Sequence, residues 1–315
     1  MTSHQFKQNI ILFKTFNTYT YQIGMRIAWF YRFIFLIATA VVLFTACQDD
    51  NLKPGVPALV KVENFNLTTN YAVQGTNSHK ITDVWVFADD QTIGVFELPA
   101  VIPILKDGPG KLRIEGGIKL NGIKTTRANN PFFEPVIIDA FSFIPDSIIT
   151  VDPSTTYRAS TVFVWMEDFE NAVISLDTTR LNSEVNIIKT TIGEGFEGNY
   201  SGLVELTGEN DVFEAASFDS FELPTTGDPV FLELNYKNDY TFSVGIFSQT
   251  PSQIIKKEII YLLPQSDWNK IYINLTETLK NSQDAVDFKI FFRTMLPNDM
   301  EAADIYLDNI KLMYR

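Results

Sequence analysis

Short runs of β-branched and aromatic residues recur along most of the chain, and each soon meets a turn signal. "KITDVWVFAD" closes at Ala88-Asp89-Asp90, "DGPG" spans Asp107 to Gly110, and "NG" stands at Asn121-Gly122. With 26 Phe and 12 Tyr among 315 residues, this pattern favours strands over helices, so the expected fold class is all-β. A composition of 45% hydrophobic and 20% charged residues is that of a globular chain, long enough for two domains. "VDPSTTYRAST", Val151 to Thr161, marks the expected boundary. It separates a region of residues 58–157 from one of residues 161–315.

In the first region "ALVKVENFNL" alternates, but neither side is cleanly apolar, which leaves its facing open. "KLRIEGGIKL" sets Leu112 and Ile114 together and then meets Gly116-Gly117, where a bulge or bend is expected. Short strands at this spacing resemble an immunoglobulin-like or transthyretin-like β-sandwich.

The second region opens with "VFVWMEDFEN" and passes through "GEGFEGNYSGLVELTGEN" and "SDWNKIYINLTETL". It closes with "ADIYLDNIKLMYR". In that last segment Ile305, Leu307, Asn309 and Lys311 alternate with Tyr306, Asp308, Ile310 and Leu312. Both faces are partly apolar, as in an inner strand between two layers. These four pieces, in this order, resemble a carbohydrate-binding-module (galactose-binding-like) jelly roll. "YLDNI" bears on the fold and not on a ligand. The resemblance implies two consecutive β-sandwich domains, Ig-like and then jelly roll. It also implies a possible structural calcium ion at Glu167, Asp168 and Asp308, since calcium takes clustered hard oxygen ligands. Glu170 falls on the face opposite Glu167, and the competing reading of all these acids is that they are solvated strand ends or cap turns.

The only cysteine, Cys47, ends an apolar run. Arg26 and Arg32 precede an apolar stretch from Phe33 to Phe44, and Thr45-Ala46 supplies small residues before the thiol, the order of a signal peptide. The stretch is short for a membrane span, which needs about 20 apolar residues. Its end resembles a bacterial lipobox, relaxed as in the Bacteroidota, with Phe44 where leucine is usual. Residues 1–46 are therefore expected to be a lipoprotein signal peptide, with Met25 as its true start. Cys47 is the lipid attachment site and residues 47–57 the anchor and tether. Gln48, Asp49 and Asp50 resemble the acidic signal that exports such lipoproteins to the cell surface. The expected location is the outer membrane, lipid-anchored and surface-exposed. An uncleaved membrane helix and an unmodified cysteine are the alternatives.

Charge narrows the partners. The first 46 residues hold Lys7, Lys14, Arg26 and Arg32 and no acid, so the net charge of −13 becomes −17 without them. Such a body repels phosphate backbones, which argues against nucleic acid. Sugar binding would use exposed rings that stack on a pyranose face. Among Trp165, Tyr200, Tyr236, Tyr240, Phe247 and Trp268, the "NYKNDY" segment with Tyr236 and Tyr240 most resembles a loop presenting rings. Core packing is the competing reading for every one of them. Catalysis has no signature: His79 is the one histidine after Cys47, no nucleophile motif occurs, and "GEGFEG" lacks the lysine of a phosphate loop. The expectation is a non-catalytic surface lipoprotein that binds glycan or another surface ligand through its jelly roll. The alternative is an accessory subunit of an outer-membrane protein complex.

Overall fold

Asp89 and Asp90 both adopt positive φ, +46° and +63°, and close a tight hairpin between strands Asp83–Ala88 and Gln91–Glu97. That hairpin belongs to a computed structural model that describes residues 55–178 and 183–315. The expected signal peptide, Cys47 and the expected export signal Gln48, Asp49 and Asp50 lie outside the described residues. Residues 56–315 form one compact unit, built almost wholly of strands arranged as two β-sandwiches.

In the first sandwich, one sheet has the order Ala100–Ile104, Ala58–Val62, Ile148–Thr150, the last pair running parallel. The facing sheet has the order Gln91–Glu97, Asp83–Ala88, Gly108–Lys119, Arg127–Asn129, with Val136–Phe143 also on Gly108–Lys119. Ala58, Val60 and Val62 point inward, which settles the facing of the ambiguous first strand. Two turn expectations need correction. "DGPG" links a strand of one sheet to a strand of the other instead of closing a hairpin. Gly116-Gly117 does not break its strand, which runs unbroken from Gly108 to Lys119. A Cβ on Gly117 would lie 2.9 Å from the Cβ of Asp83, so glycine here lets neighbouring strands approach closely.

The second sandwich pairs two larger sheets. One has the order Ile188–Lys189, Gly202–Thr207, Ala302–Tyr314, Val230–Asn238, Gln265–Asn274, with Val162–Glu167 also on Ala302–Tyr314. The other has the order Leu176–Thr178, Val212–Ser217, Asp287–Met295, Phe242–Gln249, Ile254–Leu262. Val204, Leu234, Ile246, Ile273, Phe292 and Leu307 fill the space between them.

The two sandwiches share structure. Phe231, Tyr272 and Met313 sit on strands of the second but are buried in the core of the first, where Phe231 meets Phe132 edge-on at 5.2 Å. The Asn121-Gly122 turn docks on the strand Gln265–Asn274: Asn121 N–H donates to the Tyr272 carbonyl (2.9 Å), and its Oδ1 accepts from Asn274 N–H (2.8 Å). Beside this apolar contact runs a buried polar seam. Glu233 pairs with Lys270 (3.3 Å) and accepts from the Tyr157 hydroxyl (3.0 Å), while Ser78 Oγ donates to Asn235 Oδ1 (2.9 Å).

Because Phe231 belongs to one sandwich by sequence and to the other by packing, Phe231→Ala is expected to destabilise both. The expected cost is about 3–5 kcal/mol. Urea unfolding followed separately at Trp85 and Trp165 should show coincident transitions at lowered midpoints. Two separated transitions would show that the shared core does not couple the sandwiches.

Candidate functional site

The last strand changes neighbours half-way along one edge. Residues 302–307 pair with Gly202–Thr207 and residues 310–314 with Val162–Glu167, so Asp308 and Asn309 face the gap between two strand ends. On the other edge the register with Val230–Asn238 shifts between Glu233 and Asn235, the mark of a bulge. Asn309 takes φ +49°, in the left-handed region that asparagine tolerates better than most residues. Across the gap Phe169 adopts φ +59°, an uncommon conformation for a bulky residue. Its ring is fully buried against Gly202, where a Cβ would come within 2.5 Å of it. The other described non-glycine residues with positive φ, Asp89, Asp90, Asn121 and Asp146, occupy turns. The two exceptions flank one feature.

That feature is an open cleft of about 340 Å³, lined by Thr69, Tyr71, Thr76, Asn77, Asp168, Glu170, Glu197, Gly198 and Asn309. The four-residue helix Tyr71–Gln74 forms one wall; Asn70 caps it by accepting from Ala72 N–H (3.3 Å), and Gly75 ends it. Tyr71 is 56% exposed, and its hydroxyl donates to Asp168 Oδ2. That bond first, and then burial, pushes the phenol up to about 12.

The opposite wall is the loop of residues 193–200. Glu170 holds it by accepting from Asn199 N–H (2.7 Å), Tyr200 N–H (2.9 Å) and Asn199 Nδ2 (3.1 Å). Burial acts to raise the Glu170 pKa, but these donors and Lys189 leave it lowered. Asn309 Nδ2 donates to Glu197 Oε2 at 2.9 Å. Beneath them Asp308 is buried and accepts from Ser201 Oγ (2.7 Å) and Asn309 N–H (2.7 Å); burial raises its carboxyl to about 6.

The expected calcium residues are placed differently from a metal shell. Glu167 accepts from Phe169 N–H (2.7 Å) and from Ser175 N–H (2.5 Å) and Oγ (2.6 Å), so both its oxygens serve to fold the turn after its strand. Asp308 ties the loop to the last strand, and only Asp168 lines the larger cleft. Among the described residues no group of three or more His, Cys, Asp or Glu is arranged to hold a metal ion.

The ring-presenting reading of Tyr236 and Tyr240 is also corrected. The strand continues to Asn238, Tyr236 is 5% exposed in the second core, and Tyr240 packs half-buried against that core. The amides around them are bonded internally: Asn235 to Ser78, and Asn238 Nδ2 to the Tyr240 carbonyl (2.7 Å). Trp165 is core, donating from Nε1 to Ser175 Oγ (2.8 Å). Phe247 packs on Phe291 (4.7 Å) on the outer side of its sheet, and Lys189 stands 4.9 Å over the half-buried Tyr200. Trp268 is half-buried between Phe196 (5.3 Å) and Tyr306 (6.2 Å). His79 faces the carbonyls of Phe65 (2.9 Å) and Asn77 (3.0 Å). Sequence reading missed Tyr71, Glu197 and Asn309. An Asn70 cap and a Gly75 stop were the available signals for the helix, which is too short to show periodicity.

A smaller pocket of about 190 Å³ adjoins the cleft, sharing Tyr71, Thr76, Asp168 and Asn309 and adding Lys311. Burial, and then the neighbouring Lys270, lower the Lys311 pKa to about 7.

No family model matches the chain, and no curated protein matches it. Among solved structures it is similar to the C-terminal family 22 carbohydrate-binding module of Clostridium thermocellum Xyn10B. That match has 14% identity over 48% of this chain and 92% of the module, with a TM-score of 0.33. It is also similar to a family 11 module from the same organism, with 15% identity over 48% of this chain and 94% of the module, at a TM-score of 0.35. A family 29 module shows 13% identity over 50% of this chain and 89% of its own length, at a TM-score of 0.32. These likenesses concern the fold and not what this chain binds.

A lysine whose folded pKa is depressed contributes its full stability above the unfolded value of 10.5 and loses it as pH falls toward about 7. Wild type should therefore gain stability relative to Lys311→Met as pH rises from about 7 to about 9, by at most about 1.4 kcal/mol per pH unit. Urea midpoints of both proteins across that range check this; parallel curves would refute it.

Proposed function

We propose that this protein is a non-catalytic, lipid-anchored outer-membrane protein that binds an extracellular glycan in the cleft between its sandwiches. The observation that carries the reading is the cleft lining: hydroxyls, amides and carboxylates around one exposed tyrosine ring. A polyhydroxylated ligand needs that combination, since carboxylates and amides accept and donate toward its hydroxyls while a ring covers its apolar face. Strained backbone at Phe169 and Asn309, flanking the cleft, also favours a binding role for it. The anchor rests on the order of charge, apolar stretch, small residues and Cys47.

The full-length protein should be retarded in gels containing a soluble neutral polysaccharide that it recognises. Tyr71→Ala and Glu197→Gln should each weaken that affinity about tenfold, or about 1.4 kcal/mol. Absence of retardation across a panel of neutral and acidic polysaccharides would overturn the glycan reading. So would variants that bind as wild type does.

For the anchor, Cys47→Ser should move the protein from the membrane fraction to the soluble fraction. Continued tight membrane association of that variant would refute acylation at Cys47.

A second reading, an accessory subunit of an envelope complex, is favoured by the strand Ile254–Leu262. It lies at a sheet edge and exposes Ile254, Ile255 and Tyr261, with Leu263 just beyond.

A further inference from the structure

Lys311 lies between Ile310 and Leu312, which both point into the second core, yet it is only 1% exposed. Its side chain is buried between the last strand and the segment of residues 71–77. A buried ammonium carries three donors and needs acceptors. Among the described residues its hydrogen-bond acceptor is the Thr76 carbonyl, at 2.5 Å.

The charged and titratable groups around Lys311 come from several elements. Lys270 projects from Gln265–Asn274, Glu233 from Val230–Asn238 and Glu197 from the 193–200 loop. The Tyr157 ring lies 5.1 Å away, and Glu167 and Asp168 line the same small pocket. Lys270 and Tyr157 both engage Oε2 of Glu233, while Lys311 Nζ donates to the Thr76 carbonyl instead of to that carboxylate.

A second observation comes from the other side of the contact. Gly75 has φ +67°, and a Cβ there would lie 3.0 Å from Lys311 Cε and 3.4 Å from Met166 Sδ. Glycine thus supplies both the left-handed turn that ends the helix and the space into which the lysine chain fits. Among the described residues, two hydrogen bonds tie residues 71–77 to the second sandwich: Tyr71 to Asp168, and Lys311 to Thr76.

We propose that Lys311 is the positioning residue of the cleft, clamping Gly75-Thr76 so that Tyr71 is presented to Asp168. Lys311 touches no ligand in this role. It acts through the backbone of the wall, and Gly75 is its fitted counterpart. The proposal concerns the wall itself and goes beyond the question of what the cleft binds.

The test uses the full-length protein labelled with 3-fluorotyrosine and read by fluorine NMR without any ligand. Tyr71→Phe identifies the Tyr71 resonance, and Asp168→Ala, which leaves no acceptor at that position, gives its position when the Tyr71–Asp168 bond is lost. Lys311→Met and Gly75→Ala are each expected to shift the Tyr71 resonance toward the Asp168→Ala position while the Tyr236 resonance stays in place. A Tyr71 resonance that keeps its wild-type position in folded Lys311→Met would overturn the proposal. If that variant does not fold, Lys311→Leu is read by the same criterion. Because no ligand is present, failure here leaves the glycan reading standing, and failure of the glycan reading leaves this one standing.

Discussion

The double burial of the last strand, Ala302–Tyr314, is the constraint on which the rest of the structure depends. One of its faces sends Ile305, Leu307, Ile310 and Leu312 into the second core, and the other sends Met313 into the first. A strand buried on both sides cannot slip by a residue without exposing one apolar set and burying the wrong one. The bulge at Asp308-Asn309 is where that strict alternation is interrupted, and there the strand exchanges one neighbour for another. Structure and candidate site therefore have one origin: the cleft opens where the ladder on that edge lapses.

The junction between the sandwiches combines an apolar part with a charged one. Phe231, Tyr272 and Met313 supply the apolar burial. The Glu233–Lys270 pair adds little net stability, because desolvation offsets most of its attraction, but removing one partner would leave the other charge buried and unpaired. Such a seam fixes how the two sandwiches meet more than how strongly they hold. Lys311 extends it to the cleft wall, which links the geometry of the junction to that of the site.

Several features were legible because they depend on local chemistry. Strand runs and turn residues point to β-sandwiches, and the "YLDNI" segment, partly apolar on both faces, lies in an inner strand. The sites were less legible. Tyr236 and Tyr240 stand among amides and charges, which suggested exposure, yet Asn235 and Asn238 are polar because they bond across buried contacts. Glu167 and Asp308 suggest a metal, yet Glu167 accepts an N–H from the turn after its strand and Asp308 accepts one from Asn309 at the bulge. Polarity in a sequence marks a group that must be satisfied and does not say by what.

The sequence by itself determined the β class and the acidic charge of the chain beyond its first 46 residues. Each of these follows from composition and short-range order. Only the tertiary structure decided that the regions share a core, and that Tyr71 from one meets Asp168 and Asn309 from the other. The physical reason is separation along the chain. Groups from opposite ends of the sequence become neighbours only once the last strand is seated between two cores, and no local pattern records that contact.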